Sequence, residues 1–106
     1  MLPIGFVYTN VIMFEWDDNK NTSNLLKHGI TFEEASRIFD NPVLTRIDGR
    51  RDYGEIREVS YGMIAEFVVV TVVHTDRSGK KRIISARRAE KSERKNYYVY
   101  LEKTLG

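Results

Sequence analysis

The chain has 106 residues, 42% hydrophobic and 30% charged, with two prolines and no cysteine, which suits one domain over residues 1–106 and leaves no room for two. Without cysteine there are no disulfides, thiolate nucleophiles or cysteine-ligated metals; a disulfide-stapled secreted module is excluded and a reducing cytoplasmic setting fits. The formal charge is only +2, yet from Arg77 to Lys95 nine basic residues face two acidic ones, the footprint expected for a polyanion or an acidic partner, or else of a solvated charged helix.

The apolar stretch from Leu2 to Phe14 is broken by Tyr8, Thr9 and Asn10 and lacks a basic flank. It is too short to span a bilayer, so residues 1–12 are expected to be an N-terminal extension rather than a signal or anchor, with Met13 as an alternative start. Val11 to Trp16 is β-branched and aromatic and predicts a first strand. Asp17 reads as an N-cap, with a helix running to His28 and Gly29 stopping it; Leu25 and Leu26 give this helix a small apolar face. Thr31 and Glu34 have the spacing of a capping box, and Phe32, Ala35, Ile38 and Phe39 form the buried stripe of a second helix ended by Asp40-Asn41-Pro42.

From Val43 the period becomes two. Strands are predicted over Val43 to Asp48, Glu55 to Tyr61, Phe67 to His74 and Arg82 to Ala86, the last three forming an antiparallel meander. Phe67 to Val73 is apolar on both faces and belongs inside the sheet. Glu90 to Thr104 has helical spacing, with Tyr97 and Leu101 facing the core. The order β-α-α-β-β-β-β-α defines an α+β domain: an antiparallel sheet, two N-terminal helices and one C-terminal helix.

Phe14-Glu15-Trp16-Asp17 with Lys20, the run from Asn24 to Ala35, Phe39-Asp40-Asn41-Pro42, Arg51 to Glu55 with Arg57, Val73-His74-Thr75, and Arg82 to Ala89 with Glu93, Arg94 and Tyr97 together resemble the BrnT toxins. The likeness covers residues 13–97, and the Lys-His-Gly and Ile-Ser-Ala-Arg blocks are its most specific parts. It implies a RelE-like fold and a ribonuclease toxin of a type II toxin–antitoxin system that cleaves messenger RNA and inhibits translation. It further implies a BrnA-like antitoxin partner in a heterotetramer of two toxins and two antitoxins, with operator DNA contacted only through the antitoxin. Residues 1–12 lie outside the pattern, and Glu90 stands where a hydroxyl cap is expected.

RNA cleavage without a metal needs a proton acceptor for the 2′-hydroxyl, cations around the phosphorane and an acid for the 5′-oxygen. Arginine suits the cationic part because its planar fork grips phosphate through paired hydrogen bonds. Strict alternation puts Glu55, Arg57 and Tyr61 on one strand face. It puts Arg82, Ile84, Ala86 and Arg88 on one face of the next and Ile83, Ser85 and Arg87 on the other, so register decides which arginines meet.

The candidate catalytic residues are therefore Arg57, Glu55, His74, Arg82 and Arg87. Glu55 reads equally as an ion-pair partner of Arg57, and His74, placed at a strand end, as a hydrogen-bonded structural residue. Lys27, His28, Arg51, Tyr53, Lys81, Arg88 and Arg94 are candidates for holding RNA, His28 and Lys27 also being placed to complement the helix dipole. With two histidines and only isolated turn glycines, neither a metal centre nor a cofactor site is expected. The alternative to an enzyme is a non-catalytic RNA- or protein-binding module built on the basic 77–95 region.

Overall fold

Strands form where β-branched and aromatic residues run together, and helices start where Asp17 and Thr31 can cap them. The computed structural model describes residues 4–9, 12–49 and 54–105, the first six by backbone alone. In chain order these are β1 (Ile4–Thr9), β2 (Ile12–Asp17), α1 (Asp18–His28), α2 (Phe32–Ser36), a 3-10 turn (Arg37–Asp40), β3 (Leu44–Ile47), β4 (Glu58–Ala65), β5 (Val68–Arg77), β6 (Lys80–Arg88) and α3 (Lys91–Leu105). They build a six-stranded sheet in the order β1-β2-β6-β5-β4-β3, antiparallel except between β2 and β6. The chain is a mixed α+β domain.

The caps read from the sequence are present. Asp17 accepts hydrogen bonds from the Asn19 and Lys20 amides, and Gly29 closes α1 at φ 71°, a left-handed conformation that favours glycine. Thr31 and Glu34 form the reciprocal box at the start of α2. Ser78 and Gly79, both at positive φ, make the tight connection between β5 and β6.

The sheet separates two cores. On one face α2 and the 3-10 turn cover Phe14, Trp16, Val70, Val72, Ile83 and Ala86 with Phe32, Ala35 and Ile38. On the other, α3 lays Tyr97 over Val59, Tyr61 and Val69, and the Tyr97 hydroxyl donates to the Pro42 carbonyl at 2.7 Å. A buried aromatic of this kind contributes about 1.5–3 kcal/mol by leaving water, and its hydroxyl needs the partner it finds.

Three differences from the expected pattern matter for function. Ile4–Thr9, expected within an extension, pairs antiparallel with β2 as an added edge strand, Thr9 opposite Ile12. β4 begins at Glu58, so Glu55 and Arg57 precede it rather than lie in it, while β5 continues to Arg77 and leaves His74 inside a strand. Leu25 and Leu26 are 44% and 83% exposed and are not the packing face of α1. That helix is fastened by Asn24 instead: its amide nitrogen donates to the carbonyls of Ile30 and Ala86, and its oxygen accepts from the Ala86 amide. The side chain thereby supplies to β6 the pairing that β2, which reaches only to Ile83, no longer gives.

Candidate active site

The face of the sheet under α3 is defined by the odd residues of β5, because Val69 and Val73 pack with α3 whereas Val70 and Val72 pack with α2. Thr71 is opposite Arg87 and Thr75 is opposite Arg82. Four residues separate the threonines but five separate the arginines. The register slips between Val73–Ser85 and His74–Ile83, a β-bulge at Ile84–Ser85 that absorbs the extra residue. Arg82 and Arg87, assigned to opposite faces by strict alternation, are thus brought to one face. Arg46 of β3, opposite Val59, joins them there.

Around Arg87 the groups are tightly ordered. Its guanidinium donates twice to Glu93 of α3, at 2.7 and 3.0 Å. Glu93 also accepts from the Thr71 hydroxyl at 3.2 Å and from the Glu90 amide at 2.8 Å, so the glutamate fixes both the arginine and the start of the helix. The Arg87 hydrogen bond is the main cause that lowers the Glu93 carboxyl to about 2, while burial opposes it. The same pair raises Arg87. Beside them, Arg46 Nε donates to the Tyr61 hydroxyl at 3.0 Å. Leu44, Arg46, Tyr61, Glu93 and Asn96 line a cleft of about 200 Å³.

A second row lies four residues along β5, about 13 Å away at strand rise. Here Arg82 meets Glu15 of β2 at 3.6 Å. Arg77 grips Glu55 at 3.1 and 3.3 Å, and Arg57 Nε stands 3.7 Å from the same carboxylate. The Arg77 hydrogen bond first, and the charges of Arg77 and Arg57 after it, hold Glu55 below the usual carboxylate range, the wrong direction for a general base near neutrality.

His74 is on the opposite face and is 1% exposed, not at an open strand end. Nε2 shares a hydrogen bond of 2.7 Å with Ser60 Oγ, which is 2.7 Å from Thr45 Oγ1, and the ring stands edge-on to Phe39. Nδ1 is buried without a hydrogen-bond partner among the described residues. Burial, then the Lys81 charge, push His74 down to about 4, with Asp76 opposing. Its proton chemistry therefore belongs to the core.

The other candidates scatter. Lys81 covers the Phe39 ring on the α2 face and pairs with Asp76 at 3.8 Å. Arg88 is exposed at the end of β6, and Arg94 donates to the Ala89 carbonyl at 2.8 Å. Lys27 and His28 are exposed in the last turn of α1. Arg51 and Tyr53 lie outside the described residues. Among the described residues no group of three or more His, Cys, Asp or Glu is placed to hold a metal ion, and no helix is long and apolar enough to cross a membrane.

Arg46, Tyr61, Thr71 and Glu93 were not among the predicted site residues. Glu93 had a signal: it stands three residues after Glu90, the spacing at which a side chain returns to a helix-start amide. Arg46 had none, since its role comes from pairing with β4.

The arrangement is a small α+β protein that presents a row of guanidinium groups on one face of its sheet, with Arg46 and the Tyr61 phenol lining a small cleft there. The sequence model described as "Ribonuclease toxin, BrnT, of type II toxin-antitoxin system" matches residues 16–93, and the chain belongs to that family. The crystal structure of the Brucella abortus ribonuclease toxin BrnT has a similar fold, with a TM-score of 0.53 and 19% identity over 72% of this chain and 94% of that one. A search of curated proteins returned no significant match.

Proposed function

We propose that this chain is a metal-independent endoribonuclease that cuts single-stranded RNA, messenger RNA in particular, in the cleft between β3, β4 and α3. The observation that carries the reading is the register that puts Arg87 and Tyr61 on either side of Thr71, on the face that also holds Arg46. The 2′-hydroxyl gives its proton to solvent water as its oxygen attacks phosphorus, and the bond to the 5′-oxygen breaks as that oxygen takes a proton, giving a 2′,3′-cyclic phosphate and a 5′-hydroxyl. Arg46 and Arg87 stabilise charge on the equatorial oxygens, where fixed donors act most strongly. Tyr61 accepts from Arg46 and keeps its own hydrogen to give to the departing 5′-oxygen. Glu93, ionised down to about 2, orients Arg87 rather than taking a proton. Arg82, with Arg57 and Arg77, holds the RNA backbone further along the sheet.

In this reading the fold is a RelE-like variant and the protein acts in the cytoplasm, where its cleavage stops translation. A BrnA-like antitoxin restrains it in a two-to-two complex and alone touches operator DNA. One observation favours the alternative of a binding module: Arg77, Arg82 and Arg87 each already face a carboxylate, which engages them in ion pairs that hold the fold rather than leaving them free for a reacting phosphate. End-labelled single-stranded RNA incubated with the purified chain in excess chelator separates the two. The nuclease reading expects cyclic-phosphate ends to accumulate; intact RNA bound in a steeply salt-dependent manner supports the module.

A further inference from the structure

A helix packed on a sheet ordinarily turns an apolar stripe inward, yet the stripe of α1 that faces β6 is polar. Lys20, Ser23, Asn24 and Lys27 follow one another at spacings of three, one and three residues on that stripe. Only Asn24 is buried, and its two hydrogen bonds with Ala86 hold the helix beside β6 in place of apolar contact. Between helix and strand lies a cleft of about 190 Å³ whose far wall is the bulge residues Ile84 and Ser85, with Lys20, Lys27 and His28 around it. The two lysines are seven residues apart, about 10 Å along the helix.

Two features separate this cleft from the rest of the basic surface. No carboxylate lines it, and neither lysine nor His28 has an ion-pair partner among the described residues, whereas Arg77, Arg82 and Arg87 are all paired. It is also near the reaction cleft: Ser85 is opposite Val73 on the α3 side and is two residues from Arg87. From Tyr61 on β4 across β5 to β6, the far wall of this cleft, is two strand spacings, roughly 10 Å. A strand of RNA leaving the reaction cleft across the sheet arrives there.

We propose that the cleft between α1 and β6 is a second subsite of the nuclease, which grips phosphate of the single-stranded RNA backbone away from the scissile bond. The two lysines act as point charges at either end, and the Ser23 and Ser85 hydroxyls and His28 donate hydrogen bonds. This extends the ribonuclease reading and takes the same substrate. Phosphate contacts of this kind carry no sequence information, so the subsite adds length dependence rather than sequence preference.

The test uses the full chain and an unstructured single-stranded RNA made uncleavable by 2′-O-methylation. Affinity is measured by fluorescence anisotropy over a range of salt for the wild type, Lys20→Ala/Lys27→Ala and Lys20→Arg/Lys27→Arg. Both lysines are exposed, so neither variant disturbs the core. The alanine pair is expected to weaken binding several-fold, equally for different sequences, and to reduce the salt slope by about 1 to 2, with the arginine pair restoring it. An alanine pair with the affinity and salt slope of the wild type overturns the subsite, even if the wild type cleaves RNA normally. Wild type that binds through the lysines but never cuts cleavable RNA supports the subsite and overturns the nuclease reading. Loss of binding to an acidic peptide in the alanine pair, with RNA binding retained, overturns RNA as the occupant.

Discussion

Arg87→Ala is expected to slow single-turnover RNA cleavage by about 10²- to 10³-fold while changing RNA affinity far less, the scale seen when one fixed donor to a developing oxyanion is removed. Arg87 is already held by two hydrogen bonds to Glu93, so it needs no reorganisation when charge builds on the phosphate. Its loss does not leave Glu93 stranded, because the Thr71 hydroxyl and the Glu90 amide still donate to it. The variant should therefore fold, and its melting curve checks that it does. Equal losses in rate and affinity would reassign Arg87 to holding substrate. Because Glu93 does not touch the phosphate in this account, Glu93→Gln should cost less than Arg87→Ala.

The second large effect concerns stability in mild acid. His74 takes a proton at about 6.5 when unfolded but only at about 4 when folded. Its depressed value means that the full stability is present above pH 6.5 and is lost as pH falls towards 4. The difference amounts to about 3 kcal/mol, a large part of the margin of a small domain. Much of the loss falls before pH 4.5, above the range in which Glu34, Glu55 and Glu93, all lowered, begin to protonate. The geometry explains the sign. The tautomer that fits has Nε2–H directed at Ser60 and leaves Nδ1 as a bare lone pair, and a second proton would sit on Nδ1 with no acceptor beside the Lys81 charge. Urea denaturation at pH 7 and pH 5 is expected to show the loss in the wild type and to lose most of this pH dependence in His74→Gln. An unchanged pH dependence in that variant would place its origin elsewhere.

What was legible in the sequence was mostly local. Asp17, Gly29, Thr31 and Glu34 marked helix boundaries because a cap satisfies backbone groups within a few residues of itself. The two-sided apolar run of β5 announced an interior strand, and β5 does lie between β4 and β6. The site was not legible in the same way. Nothing in Ile84-Ser85, with neither glycine nor proline, signals a bulge, and without it the period-two rule splits Arg82 from Arg87. Arg46 and Tyr61 meet through the pairing of β3 with β4, a long-range register that sequence spacing does not encode. His74, expected at a strand end as either a catalytic or a hydrogen-bonded structural residue, is put in the core by three further residues of strand, where it takes the structural part. Leu25 and Leu26 misled because helix packing was assumed to be apolar, while here one buried asparagine replaces a strand partner.

The central claim is that the register from β3 to β6 gathers Arg87, Arg46 and Tyr61 around a single scissile phosphate. It is tested most directly by a crystal structure with a short RNA whose 2′-hydroxyl at the cleavage position is replaced by hydrogen. The account predicts the phosphorus in the cleft of β3, β4 and α3, with both guanidinium groups on its non-bridging oxygens and the Tyr61 hydroxyl at the 5′-oxygen. A phosphate seated on the α2 face beside Lys81, or Arg82 and Arg87 found on opposite sides of β6, would contradict it.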